Sequence, residues 1–179
     1  NSTIIIAGMG GLGIACLQAS ILAEANKIIC IDINRKKLQK IQNLKNVVTI
    51  CNDKKNLKTL LEKKVKYVDY TVDCTGKIEI IEDLLNFTKF LGGKCLIIGN
   101  PEPNKKILLD PWQFILGKTL LGAWNSNKSF EKNFYKFLKI FLKSNTSKYF
   151  ASKTYRLSNI NRAFEDLKSG KVLRPTIKF

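Results

Sequence analysis

The chain has 179 residues, 45% of them hydrophobic, and its 31 Lys and Arg against 14 Asp and Glu give a formal charge of +17. That length admits one domain, or one domain with a piece of another, and the apolar content excludes a disordered chain. The charge does not mark a nucleic-acid binder, because the lysines are spread along the chain and arginine is scarce, though the net field favours the approach of anionic cofactors.

An apolar run, Ile4 to Ala7, predicts a buried strand that stops at Gly8 and passes through Gly10, Gly11 and Gly13 into an apolar helix from Ile14 to Ala23. The glycines serve three purposes in such a turn. Gly8 makes the tight bend, Gly10 has no Cβ to keep a pyrophosphate from the backbone, and Gly13 lets the helix lie close on the strand. Phosphates then meet free amides at the helix N-terminus, where the dipole favours negative charge. A second strand, Ile28 to Ile31, ends in Asp32. An acidic side chain there can accept hydrogen bonds from both adenosine ribose hydroxyls and would repel a 2′-phosphate, so the pattern reads as an NAD site rather than an NADP site. The competing reading is a βαβ unit without nucleotide, in which Asp32 caps the next helix.

That helix opens over Ile33 to Lys37 and keeps helical spacing through Leu38, Ile41 and Leu44. Lys37 follows Asp32 closely enough to reach the adenosine end, or is one more solvated lysine. Val47 to Ile50 predicts a third strand, and Leu57, Leu60 and Leu61 mark a third helix. A fourth strand, Tyr67 to Asp73, ends in Cys74-Thr75-Gly76 ahead of a helix with apolar positions Ile78, Ile81, Leu84, Leu85 and Thr88. Small residues after a parallel strand line the ligand crevice of an open sheet. A fifth strand, Lys94 to Ile98, ends in Gly99-Asn100-Pro101, and a sixth, Leu120 to Trp124, follows a connection from Pro101 to Gly117. The expected fold is α/β, a Rossmann-type doubly wound sheet of six parallel strands with helices on both faces, over residues 1–125.

From residue 126 to 179 the alternation stops. Phe130, Phe134, Phe137, Leu138 and Phe141 share one face of a long helix. Ser158 is expected to cap a shorter one carrying Ile160, Ala163, Phe164 and Leu167 and ending at Gly170, and Val172 to Phe179 reads as a strand. Five cysteines without C-x-x-C spacing, and no histidine, make a zinc site or disulfide framework within the chain an unsuitable reading. Cys16, Cys30 and Cys95 fall in apolar patterns and are expected to be buried, reduced thiols. No signal peptide and no membrane-crossing apolar run is present, so a cytoplasmic chain is expected. It starts at Asn1 almost directly on a strand, and its beginning is expected to be missing.

Taken in order, these pieces resemble the zinc-type medium-chain alcohol dehydrogenases. The glycine turn Gly8 to Gly13, Asp32-Ile33-Asn34 with Lys37, Asp73 to Gly76, Ile98-Gly99, Gly122 to Trp124 and the closing Ser169 to Arg174 all look like that family's. The resemblance implies that Gly10, Gly11 and Leu12 contact the pyrophosphate of NAD, with Asp32 and Lys37 on the adenosine ribose. By the same resemblance, Cys74, Thr75 and Gly76 would fall near the nicotinamide-side ribose. Backbone at Ile98, Asn100, Ala123 and Asn125 would hold the nicotinamide, and Arg174 would reach back to the pyrophosphate, where a forked guanidinium suits phosphate oxygens. A surface arginine is the plain alternative for Arg174.

The resemblance also implies that an absent N-terminal catalytic domain holds the zinc and the proton relay, with residues 126–179 returning to it. The substrate would be an alcohol, aldehyde, polyol or sugar. No nucleic acid or membrane partner is expected, and two or four copies would pair along the edge strand Leu120 to Trp124. A zinc-free quinone or enoyl reductase, a stand-alone NAD-binding regulatory module and a methyltransferase are the rival readings. Asp32 and the form of the glycine turn argue against the first and last.

Overall fold

The computed structural model describes residues 2–53, 56–124, 133–135, 138–139, 142 and 153–179. It divides into two compact units, Asn1–Ala123 and Trp124–Phe179.

The first unit carries β1 (Thr3–Ala7), β2 (Lys27–Asp32), β3 (Val47–Cys51), β4 (Tyr70–Asp73), β5 (Lys94–Ile97) and β6 (Thr119–Gly122). They form one parallel sheet in the order β3-β2-β1-β4-β5-β6, as the doubly wound reading requires. Register places Ile6 between Cys30 and Val72, and consecutive residues of β1 and β2 point to opposite faces of the sheet, both of them covered. Ile5, Ile6, Ile28 and Ile29 are accordingly buried, which is why these strands read as unbroken apolar runs. Between the strands run α1 (Gly11–Leu22), α2 (Arg35–Gln39), α3 (Leu57–Glu62), α4 (Ile78–Phe87) and α5 (Trp112–Ile115). Asn34 and Asn56 cap α2 and α3, each side chain accepting from amides of the first turn. In α4, Ile81, Leu84 and Leu85 turn inward at helical spacing.

Strand order reverses at β1 and β4, which opens a crevice at the carboxyl ends of the strands. Lys118, just ahead of β6, closes the far end of α4. Its ammonium donates to the carbonyls of Leu85 at 2.7 Å and Asn86 at 3.1 Å in the last helical turn. Burial holds its pKa below the usual lysine value.

Several local expectations are corrected. Helix α2 ends at Gln39, short of Leu44, because the chain folds into successive tight turns: Ile41 donates to Leu38, and Leu44 to Ile41. Asn46, at φ 64, closes that run, and Leu38 and Ile41 still reach the core. The connection from Pro101 to Gly117 contains α5, too short for periodicity to show. Thr88 lies one residue beyond α4, where its hydroxyl contacts that of Thr71 at 2.8 Å. Of the three cysteines expected inside, Cys30 and Cys95 are buried, whereas Cys16 is half-buried. Desolvation pushes the Cys30 thiol up to about 12.

In the second unit, residues 133–135, 138–139 and 142 are helical, while Phe130, Phe137 and Phe141 lie outside the described residues. β7 (Lys153–Arg156) pairs in parallel with β8 (Pro175–Lys178), a strand shorter than Val172 to Phe179 and joined to one not foreseen. A 3₁₀ turn over Leu157–Asn159 leads into α6 (Ile160–Lys168). Ser158 sits inside that turn and does not cap α6, whose cap position is Asn159 without a side-chain bond. Phe164 is 63% exposed, and Asp166 is the buried residue of α6 beside Ala163. The reason is Tyr155, whose hydroxyl donates to Asp166 at 2.6 Å; this bond holds the carboxyl below its usual pKa, with support from Lys171 and Lys153. Among the described residues no helix is long and apolar enough to cross a membrane.

Candidate cofactor site

A cavity of about 490 Å³ opens at the carboxyl ends of the central strands. Of the residues singled out in the sequence, it brings together Gly8, Gly10, Asp32, Ile33, Lys37, Cys74 and Thr75. Each glycine can be tested against the space around it. Gly8 has φ +92, and a Cβ on it would stand 2.9 Å from Thr75 Cγ2, so the bend admits no other residue. At Gly13 a Cβ would fall 1.8 Å from the Gly8 carbonyl oxygen, which is the close helix-on-strand packing expected there. Gly10 and Gly11 meet nothing within 4 Å. No protein atom requires glycine at these two positions, and the open space before them is what a phosphate-bearing ligand would fill. Gly10 caps α1 without a side chain, leaving the first-turn amides, at Gly11, Leu12 and Gly13, no intrahelical acceptor.

Asp32 ends β2 almost wholly buried. One carboxylate oxygen accepts from the Met9 amide at 2.6 Å, the other from Asn34 at 2.8 Å. The ribose-binding candidate thus also ties down the glycine turn. It does not cap α2, a task that falls to Asn34. A carboxylate has about four lone-pair sites, so it retains capacity for hydroxyl donors. The Lys37 ammonium lies 3.9 Å from it. Ile33, 63% exposed, gives the cavity an apolar wall suited to a base.

Gly76, Gly99 and Asn100 form a second cluster, at the ends of β4 and β5. A Cβ on Gly76, at φ +70, would stand 2.2 Å from the Asn100 carbonyl oxygen, and one on Gly99 would stand 2.2 Å from the Gly76 nitrogen. The amides of Ile98 and Gly99 both donate to the Asp73 carbonyl, at 2.9 and 3.0 Å. Ala123 follows β6, its amide on the Ile97 carbonyl at 3.0 Å. Arg174 is exposed, next to β8 in the second unit, and Asn125 lies outside the described residues.

Several lining residues were missed. Asn52, one residue past β3, could have been found by the strand-end logic applied to β1, β2 and β4. Its Oδ1 is buried and accepts no hydrogen bond from the described residues, an orphan that fits a site completed by a ligand. Ile80 and Asp83 enter from α4, and burial raises the pKa of Asp83. Asp73 ends β4 and opens the turn to Gly76. It is fully buried, and its two oxygens accept from the Thr75 amide, the Thr75 hydroxyl and the Gly76 amide at 2.9, 2.6 and 3.0 Å.

An open parallel sheet with a glycine turn into α1 and an acid at the end of β2 defines a Rossmann-type α/β protein. Residues 11–143 match the zinc-binding dehydrogenase family, and the chain belongs to it. It is 30% identical over 99% of its length to S-(hydroxymethyl)glutathione dehydrogenase of Saccharomyces cerevisiae, covering 48% of that enzyme. The fold is shared with benzyl alcohol dehydrogenase from Acinetobacter calcoaceticus, at a TM-score of 0.83, 24% identity, and coverage of 99% of this chain and 49% of the other. It is shared too with a putative zinc-binding dehydrogenase from Sinorhizobium meliloti bound to NADP, at a TM-score of 0.75, 19% identity, and coverage of 94% and 48%. The chain thus spans about half the length of these relatives.

Proposed function

We propose that this chain is the cofactor-binding part of an NAD-dependent alcohol dehydrogenase. The reading rests above all on the Asp32 carboxylate, which lines the same cavity as Gly10 of the glycine turn. Gly10, Gly11 and Leu12 offer amides and the positive end of α1 to a pyrophosphate. Asp32 receives the adenosine ribose hydroxyls, Lys37 flanks that carboxylate at the same end of the cofactor, and Ile33 covers the base. Ile98, Asn100, Ala123 and Asn125 are assigned to the nicotinamide. NAD, when bound, supplies the hydride acceptor for oxidation of an alcohol to an aldehyde or ketone. Zinc, the substrate's binding groups and the proton relay are assigned to protein outside this chain.

The NADP-bound relative makes cofactor choice the point to test. In calorimetric titrations of the chain, NADH binds and NADPH binds at least about tenfold more weakly, because a 2′-phosphate would face a buried carboxylate. Asp32→Ala narrows that gap. Preference for NADPH, or an unchanged gap in Asp32→Ala, overturns the NAD assignment, and binding of neither removes the support from the cavity.

A further inference from the structure

Two cysteines 58 positions apart in sequence meet beside the cavity. Cys16 comes from the middle of α1 and Cys74 from the residue after β4, and their sulfurs lie 3.9 Å apart with the Cys74 thiol donating to Cys16. Both are half-buried, unlike Cys30 and Cys95, and Cys74 lines the cavity wall. We infer that Cys16 and Cys74 form a reversible oxidation site, which closes to a disulfide when a hydroperoxide reaches it and thereby weakens dinucleotide binding. The effect on binding rests on the cofactor reading above, whereas formation of the bond does not.

The pair is asymmetric in the way such chemistry requires. The hydrogen bond from Cys74 holds the Cys16 thiol below its usual pKa, and the same bond together with burial raises Cys74. Cys16 is therefore the thiolate that attacks the peroxide. An S–O bond forms, the O–O bond breaks, and hydroxide leaves to become water, giving a sulfenic acid. Cys74 then loses its proton as its sulfur attacks that of Cys16. The S–S bond forms, the S–O bond breaks, and the departing hydroxide takes up the proton as a second water. Two thiols and one hydroperoxide yield one disulfide and two waters when the oxidant is hydrogen peroxide.

A disulfide holds its sulfurs about 2.05 Å apart, so the pair must close by roughly 2 Å. Cys74 has little freedom to move alone. Its amide donates to the Ala7 carbonyl at 2.8 Å, and its own carbonyl oxygen stands 3.2 Å from where a Gly8 Cβ would be. Drawing Cys74 toward α1 therefore shifts the wall of the cavity against the glycine turn.

The test treats the 179-residue chain with hydrogen peroxide, maps its thiols by differential alkylation and mass spectrometry, and titrates NADH before and after. The expected result is a Cys16–Cys74 linked peptide, NADH affinity lowered on the order of tenfold, and full recovery with dithiothreitol. Cys16→Ser should keep its NADH affinity through the same treatment. The inference is overturned if both thiols stay alkylatable at a dose that oxidises half-buried Cys51, if Cys74 links instead to Cys30, or if the disulfide forms and affinity is unchanged. Should the reduced chain bind no NADH, the cofactor reading fails by itself and the peptide map still decides the oxidation site.

Discussion

Asp32 and Asp73 look alike in the sequence. Each closes an apolar parallel strand, each precedes a helix, and each is buried with both carboxylate oxygens on main-chain amides. They differ in where those amides come from. Asp73 binds only its own turn, Thr75 and Gly76, and adds the Thr75 hydroxyl, so its acceptor capacity is turned into the protein. Asp32 reaches across to Met9 in the neighbouring turn and remains on the cavity wall. The difference teaches that a strand-end carboxylate becomes a binding group only where the adjacent turn leaves open space before it. Otherwise it is scaffold.

The sharpest way to break this comparison is to remove each carboxylate in turn. Asp73→Ala leaves buried amides unpaired, at about 1–3 kcal/mol each, and should cost roughly 3–5 kcal/mol in urea unfolding. Asp32→Ala loses two such bonds rather than three, to the buried Met9 amide and the part-buried Asn34 amide, so its cost should be smaller, about 2–3 kcal/mol. Equal losses would show that the two residues are both scaffold.

A finer contrast lies in the glycine turn. Gly13→Ala drives a Cβ into the Gly8 carbonyl and should lower the unfolding midpoint markedly. Gly10→Ala meets no protein atom, so stability should stay within about 0.5 kcal/mol of wild type while NADH affinity falls about tenfold. A Gly10→Ala chain with unchanged affinity would mean that the open space holds no phosphate.

The smallest effect concerns pH, at the opposite end of the strands. Asp69 is held below the usual carboxylate pKa, first by the Lys89 ammonium and then by the Thr3 amide. A depressed carboxylate stabilises the fold fully above its unfolded value of about 3.9, and that contribution disappears as pH falls through the folded value. Unfolding curves between about pH 5 and 2 should therefore fall less steeply in Asp69→Asn than in wild type. Parallel curves would show that this partly exposed pair contributes nothing measurable.

The order of elements, the glycine turn and Asp32 were legible in the sequence because each is written in adjacent residues. Short apolar runs bounded by turn residues fit strands covered on both faces, and a Gly-x-Gly-Gly-x-Gly stretch between strand and helix has few other uses. Short elements were not legible. β7 buries only Tyr155, so Lys153–Arg156 shows no pattern, and α5 spans a single turn. On α6 the aromatic ring of Phe164 suggested the inward face, and Asp166 took that place because Tyr155 supplies its partner from another strand.

By itself the sequence determined strands, helices and the few backbone positions where only glycine fits, since these depend on local sterics and on the period of apolar residues. Tertiary structure alone decided which separated groups meet. Asp32 on Met9, Cys16 on Cys74, Asn52 on the cavity wall and Asp73 locked into its turn all follow from strand order and register. A hydrogen bond or a thiol contact acts over only a few ångströms, and which residues come that close is set when the sheet assembles.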